Sequence, residues 1–96
     1  MDIELKLDDQ QQGGFYIEID GRQMAELEFD IKDNVLNAYH TGVRPELEGQ
    51  GVAGKLFKAM TDYARENNYK VKPTCPYIAV MFKRQAATIG DLKYEG

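Results

Sequence analysis

A glycine-containing turn divides this chain into two halves with different hydrophobic periodicity. The turn is formed by Gly49-Gln50-Gly51-Val52-Ala53-Gly54-Lys55. Before it, apolar and polar residues alternate, and after it apolar residues recur every three or four positions. Alternation is typical of strands with one solvated face, whereas the longer period is typical of an amphipathic helix. The turn is therefore predicted to join a region of strands to a helix.

Upstream of the turn, four alternating segments predict four strands. The segments cover residues 2–7, 15–20, 26–32 and 35–41, and the turns between them cover residues 10–14, 20–21 and 33–34. Short polar or glycine-containing turns join antiparallel neighbours. We therefore expect the first half of the chain to form a four-stranded meander in which each strand has one buried face.

Downstream of the turn, the sequence predicts a helix, a short strand and a second helix. The first helix covers residues 52–67 and has an apolar face of Val52, Leu56, Met60 and Tyr63, widened by Ala53, Phe57 and Ala64. The strand covers residues 69–73 and the second helix residues 77–84, and nothing is predicted after Gln85. A strand-helix-strand crossover makes two strands parallel. The order β-β-β-β-α-β-α thus indicates an α+β fold with a mixed, mainly antiparallel sheet.

Length, charge and cysteine content limit the number of domains and the kinds of ligand that we expect. The chain has 96 residues, and we expect residues 1–96 to form a single domain. Its net charge is -4, with residues 1–48 carrying -8 and residues 49–96 carrying +4. The acidic total makes nucleic acid an unexpected partner, while a small anion could bind the basic half. The single cysteine, Cys75, allows neither an internal disulfide nor a cysteine-based zinc site, and we predict no metal.

The first residues of the chain and its hydropathy predict the cellular compartment of the protein. The first residues carry no basic and apolar leader, and no apolar run approaches the ~20 residues of a membrane helix. We therefore expect a cytoplasmic protein that does not bind membranes.

The turn at residues 49–55 predicts an anion site. The first N–H groups of a helix lack partners within the helix and lie at the positive end of its dipole. Lys55 and Lys58 follow in the first two turns and could add positive charge. The alternative is a glycine-rich helix start with no ligand. The glycines at 51 and 54 lower helix stability, which favours a ligand that offsets the loss.

Two blocks of sequence together resemble a known superfamily. They are His40-Thr41-Gly42-Val43-Arg44-Pro45-Glu46-Leu47-Glu48-Gly49-Gln50-Gly51-Val52-Ala53 and Lys72-Pro73-Thr74-Cys75-Pro76-Tyr77. With Leu56 between them, they resemble the small GNAT-superfamily acetyltransferase-like proteins over residues 14–85. The resemblance implies a GNAT-like fold that binds coenzyme A or acetyl-CoA. The usual acceptor-site helices are missing, because only a short turn joins Leu7 to Phe15.

The resemblance also implies roles for individual residues. The diphosphate of the cofactor would bind the turn through the following residues: Gly49, Gln50, Gly51, Val52, Ala53, Gly54 and Lys55. Val43, on the fourth strand, would lie beside the pantetheine arm. The sequence departs from the family pattern at Glu48, where glutamine or arginine is usual, and at Met81, where a tyrosine acid is common.

Three side chains are candidates for the chemistry of acetyl transfer. His40 could act as the base that deprotonates an amine, or it could form a structural hydrogen bond. Cys75 could accept the acetyl group as a nucleophile, or it could pack against the cofactor without reacting. Tyr77 could protonate the departing thiolate, or it could only pack.

Three functions are compatible with these observations. The first is an acetyl-CoA-dependent N-acetyltransferase whose acceptor is an unknown amine, possibly on a protein. The second is a module that binds coenzyme A or an acyl-CoA without turnover. The third is an interaction protein that uses a free sheet edge. We expect a monomer or a weak dimer.

Overall fold

Five strands form one mixed sheet in the computed structural model of the chain, which describes residues 2–96. Four of them form the predicted antiparallel meander: β1 (Glu4–Leu7), β2 (Gln12–Ile19), β3 (Arg22–Lys32) and β4 (Val35–Val43). The fifth, β5 (Lys70–Pro73), pairs with β4 in parallel, as the crossover predicts. The mixed α+β architecture is confirmed. Met1, which belongs to the predicted domain of residues 1–96, lies outside the described residues.

The two predicted helices are also present. They are α1 (Val52–Glu66) and α2 (Pro76–Arg84), and single 3-10 turns cover Pro45–Leu47 and Gly90–Leu92. The C-terminal tail, for which no element is predicted, adds a short helix α3 (Ala86–Ile89). Beyond it, Tyr94 donates its N–H to the carbonyl of Val71 at 2.8 Å, so the tail covers part of the outer edge of β5. In the described chain, no helix has the length and apolar character needed to cross a membrane.

The core lies on one face of the sheet. Alternate strand residues point to this face and are fully buried: Ile17, Leu27, Phe29, Leu36, Ala38 and Val71. Helix α1 covers them with Leu56, Phe57 and Met60, and α2 adds Ile78 and Phe82. The rings of Phe57 and Phe82 meet edge to face with centroids 5.7 Å apart. Both helices thus share one apolar layer with the sheet, which leaves the opposite face of the sheet open.

Two details of the strand predictions are wrong. In β1, every residue is exposed, because the strand forms the sheet edge beyond the reach of α1, and Leu5 and Leu7 stay partly solvated. The first turn is shorter than predicted, since β2 begins at Gln12. The Asp8 carboxylate closes this turn by accepting the N–H groups of residues 10 and 12.

The predicted apolar face of α1 packs against the sheet. Tyr63 is partly buried and contacts the core, as expected. Thr61 is buried as well, and its hydroxyl donates to the Lys58 carbonyl at 3.0 Å.

Replacement of Phe57 by alanine tests the role of the layer between the helices. We expect Phe57→Ala to lower the free energy of unfolding by about 3–5 kcal/mol, because it removes a buried ring and leaves a cavity. Val80→Ala, at an exposed position of α2, is the control and should change the free energy by less than about 0.5 kcal/mol. Denaturant unfolding followed by circular dichroism measures both. Equal effects of the two substitutions would contradict this description of the core.

Candidate functional site

Strands β4 and β5 are paired only over their first four residues. The pairing runs from Val35 opposite Lys70 to Ala38 opposite Pro73. The last contact is the Cys75 N–H, which donates to the Ala38 carbonyl at 2.8 Å. Beyond this point β4 continues for five residues, whereas the segment that follows β5 turns into α2. The two strands therefore diverge and leave an edge of β4 available to a ligand.

A bulge in β4 changes which main-chain groups point to this edge. Glu28 of β3 lies opposite His40, but Phe29 lies opposite Ala38, so Tyr39 is the extra residue. Farther along, Arg44 donates its N–H to the Met24 carbonyl on the β3 side at 2.9 Å. Because successive residues in a strand direct these groups to opposite sides, those of Val43 point away from β3. Val43 thus offers hydrogen-bonding groups to the space between the diverging strands.

That space opens into a cleft of about 410 Å³ between α1 and α2. One wall is the turn before α1 and its first residues, which contribute Gly49, Gly51, Val52, Ala53 and Gly54. The facing wall is one side of α2, with Tyr77, Met81 and Arg84. Val43 lies on the β4 side, and Leu47 and Glu48 complete the lining. The cleft is thus lined by apolar side chains, bare main chain and two opposite charges.

The start of α1 supplies unpaired donors to the cleft. Gly51 is the residue before the helix, and its φ of 71° lies in the left-handed region, where glycine is favoured. No side chain caps this end. The first hydrogen bond within the helix is donated by Lys55 to the Gly51 carbonyl at 3.2 Å. The N–H groups of residues 52–54 are therefore free of helix partners, at the positive end of the dipole.

Of the residues predicted to bind the cofactor, six lie together and two lie elsewhere. Val43, Gly49, Gly51, Val52, Ala53 and Gly54 all line the cleft. Gln50 faces away from it, and its side-chain amide donates to the Glu46 carbonyl at 3.3 Å. Lys55 is exposed and does not line the cleft, because its position in α1 turns it toward the polar side of the helix.

A charged residue that was not predicted from the sequence lines the cleft. Arg84 lines the cleft from α2, on the same side of the helix as Tyr77 and Met81. The spacing of these three residues, four and then three positions, is the helical repeat that could have identified it. Within residues 2–96, Arg84 forms no ion pair with any carboxylate. Its guanidinium group is thus available to an anion in the cleft.

The three candidate catalytic side chains lie on different sides of the gap between β4 and β5. Cys75 is 6% exposed, and its Sγ lies 3.6 Å from the Thr41 hydroxyl at the point where β4 and β5 separate. Tyr77 lies in the cleft itself, where burial raises the pKa of its phenol and the charge of Arg84 partly opposes this rise. A raised pKa keeps the phenol protonated at neutral pH, as a proton donor must be.

His40 lies on the open face of the sheet, away from the cleft lining. Its Nε2 contacts Oε2 of Glu26 at 3.0 Å, and its side chain is 48% exposed. Next to this pair, the Tyr16 hydroxyl donates to Glu28 at 3.1 Å. Burial, together with this hydrogen bond, raises the pKa of Tyr16 to about 12. The open face is thus acidic, whereas the cleft carries the free guanidinium group of Arg84.

Known proteins resemble this chain in sequence and in fold. The family model described as GCN5-related N-acetyl-transferase matches residues 14–92, and the chain therefore belongs to that family. A solution NMR structure of a GCN5-like protein from Staphylococcus aureus has a TM-score of 0.71 and 34% sequence identity. That match covers 95% of this chain and 87% of the other. No curated protein matches the sequence significantly.

More distant structures share the fold. The ribosomal-protein-S18-alanine N-acetyltransferase of Escherichia coli has a TM-score of 0.64 and 11% identity, over 80% of this chain and 53% of that one. A ribosomal-protein-alanine N-acetyltransferase of Brucella melitensis has a TM-score of 0.59 and 17% identity, over 79% of this chain and 63% of that one. At sequence identities this low, the similarity shows a shared fold only. The GNAT-like fold expected from the sequence is thus confirmed.

Two glycine substitutions test the backbone conformation at the start of α1. Gly51 has a left-handed conformation, whereas Gly54 lies in the first helical turn. We expect Gly51→Ala to lower the free energy of unfolding by about 1 kcal/mol or more, because alanine is strained at a φ of 71°. Gly54→Ala should raise it by up to about 1 kcal/mol, since a Cβ there meets no atom within 4 Å and alanine favours helix. Thermal unfolding without ligand measures both changes. A change of the same sign in the two variants is inconsistent with this geometry.

Proposed function

We propose that the protein is an acetyl-CoA-dependent N-acetyltransferase that transfers an acetyl group to an amine. The observation that carries this proposal is the cleft between the diverging strands and the uncapped start of α1, in a chain of the N-acetyltransferase family. The residues present suit the cofactor, because the cleft combines free main-chain donors, apolar walls and one unpaired guanidinium group. When bound, acetyl-CoA would supply an acetyl group activated as a thioester.

The diphosphate would be held mainly by main-chain groups. The N–H groups at residues 52–54 donate toward the cleft, and the glycines before them allow close approach of the phosphate oxygens. Arg84 faces them from α2 and supplies the positive charge. Glu48 opposes phosphate binding electrostatically, which makes the contribution of Arg84 more important. On the β4 side, the main-chain groups of Val43 would bind the amide groups of the pantetheine arm.

The chemistry requires three proton movements. His40 would remove a proton from the ammonium group of the acceptor, so that the amine nitrogen can attack the thioester carbon. As the new C–N bond forms, the nitrogen would lose its second proton to solvent and the bond from carbon to sulfur would break. The Tyr77 hydroxyl would then provide a proton to the departing sulfur, for which its position in the cleft and its protonated state are suited. The acceptor would approach from the open face, where no helix wall restricts its size.

Cys75 has a packing role in this proposal. Its thiol is buried and directed at the Thr41 hydroxyl, so a nucleophilic thiolate would have little solvent access. Direct transfer needs no acetylated enzyme. Cys75 would instead form part of the apolar floor where the strands separate.

A second function is favoured by one feature of the cleft. Met81 lies beside Tyr77 in the cleft and cannot donate a proton. This side chain favours a module that binds coenzyme A or an acyl-CoA without turnover. The two functions differ in whether an acetyl group is transferred.

The test of the proposed function is an acetyl-transfer assay. Wild-type protein is incubated with acetyl-CoA and with pools of amines and peptides, and free thiol and acetylated products are measured. We expect transfer by the wild type, and a rate within about threefold of it for Cys75→Ala, since no covalent intermediate is required. Cofactor binding without any transfer would support the binding module instead. Loss of transfer in Cys75→Ala, with an acetyl group on wild-type Cys75, would contradict direct transfer.

A matched pair of substitutions on α2 tests the phosphate site. We expect Arg84→Gln to weaken coenzyme A binding about fivefold to tenfold, because it removes a charged donor from the cleft. Binding of pantetheine, which lacks the phosphates, should be unchanged. Lys83→Gln removes the same charge from the neighbouring residue outside this cleft and serves as the control. Titration calorimetry measures all affinities. Equal weakening by both substitutions would indicate a general effect of net charge and no direct contact from Arg84.

A further inference from the structure

A carboxylate on the open face of the sheet is held by two side chains. Glu26, on β3, is 22% exposed. Its Oε2 contacts Nε2 of His40 at 3.0 Å, and its Oε1 accepts a hydrogen bond from the Gln23 side-chain amide at 3.1 Å. Each carboxylate oxygen therefore has its own partner, which restricts the rotation of the group. Such a carboxylate can orient the imidazole that it contacts.

The strand opposite provides the space for this contact. Gly42 is the partner of Glu26 in the register of β3 and β4, and His40 lies two residues away on the same face. A Cβ at position 42 would lie 2.0 Å from Glu26 Oε2 and 3.2 Å from His40 Nε2. Any side chain there would thus displace the carboxylate. The contact between Glu26 and His40 depends on a glycine at position 42.

The chemistry of the pair determines which nitrogen of His40 can take up a proton. An ionised carboxylate only accepts hydrogen bonds, so Nε2 must carry the proton in this contact. In the neutral ring, Nδ1 then holds the lone pair. The other carboxylate near His40, that of its cross-strand partner Glu28, is engaged by the Tyr16 hydroxyl. Of these two carboxylates, Glu26 is thus the one that fixes the ring.

Glu26 also lies beside the cofactor cleft. Glu26 and Gly42 line a depression of about 340 Å³ on the open face, to which His40 does not contribute, and Val43 is part of its lining. Val43 also lines the cleft between the helices. The two concave surfaces thus share Val43, and an acceptor in the depression would be adjacent to the cleft.

We infer that Glu26 is a positioning residue, which holds the His40 ring through Nε2 and leaves Nδ1 to take the proton of the acceptor amine. This inference rests on the proposed function, in which His40 is the base. It assigns Glu26 no contact with the reacting atoms. Its effect on the rate must therefore pass through His40.

A double-mutant cycle tests the inference. We expect Glu26→Ala to lower kcat about tenfold with the KM for acetyl-CoA unchanged, because the base loses its orientation. His40→Ala should lower kcat by about a hundredfold or more. The double variant should be no slower than His40→Ala alone. If Glu26→Ala lowers kcat by the same factor in both backgrounds, or not at all in the wild type, the inference is wrong.

Two further variants separate positioning from a loss of folding. Gly42→Ala should reproduce the effect of Glu26→Ala, since its Cβ displaces only the end of a flexible side chain. Glu28→Ala removes the neighbouring carboxylate and should leave kcat within about threefold of the wild type. A normal rate for Gly42→Ala in a folded protein would overturn the inference.

The ring state of His40 can be observed directly. It is the sole histidine of the chain, so the ¹⁵N spectrum of the ring needs no assignment. We expect the wild type at neutral pH to carry its proton on Nε2, and the opposite tautomer would overturn the inference. Coenzyme A affinity, measured in parallel, should be the same in all four single variants. A wild-type protein without acetyl transfer would refute the proposed function and the inference with it, whereas transfer that ignores Glu26 would refute the inference alone.

Discussion

The early separation of β4 from β5 determines how the cleft and the two helices around it are arranged. In a parallel pair, each added residue would close the edge of β4 with further hydrogen bonds. Here the pairing stops at Ala38 and Pro73. The proline lacks an N–H, and the chain then turns into α2. The bulge at Tyr39 bends β4 at the same level. The free edge, the cleft between the helices and the buried Cys75 all follow from this one divergence.

The two faces of the sheet have different roles because all the apolar cover lies on one of them. On the covered face, α1 and α2 share a core that fixes the start of α1 relative to the face of α2 bearing Arg84. Phosphate groups can therefore meet main-chain donors on one side and a guanidinium group on the other. The open face carries the carboxylate of Glu26 beside His40, which would favour a cationic acceptor. In the proposed function, a negative cofactor and a positive acceptor would thus lie on opposite sides of β4.

The parts of the fold that were predicted correctly are those encoded by local periodicity. The alternation through β2, β3 and β4 and the helical repeat of α1 identify the elements, and the glycine turn locates the junction. The strand β1 is present, but its predicted buried face is wrong, because alternation shows which side chains are apolar and not whether a helix covers them. The C-terminal tail could not be predicted, because a 3-10 turn and one bridge to Val71 leave no periodic signal.

The main-chain part of the candidate site could be predicted from the sequence. The part that depends on where side chains point was harder to predict. Gly49, Gly51 and Gly54 can be identified in the sequence because glycine has few other reasons to cluster around the start of a helix. Arg84 lines the cleft and Lys55 does not, because only the packing of the two helices decides which cation faces it. The pairing of Glu26 with His40 requires the register of β3 and β4 and the missing side chain at Gly42, neither of which is local in sequence.

An NMR titration of the ¹⁵N-labelled protein with coenzyme A would locate the cofactor site. We expect the largest amide shifts at residues 51–54 and along β4 at residues 41–43. Amides of β1 and of the outer edge of β5 should be unaffected. Large shifts confined to the open face, or no shifts at saturating concentration, would contradict the assignment of the cleft as the site of the cofactor.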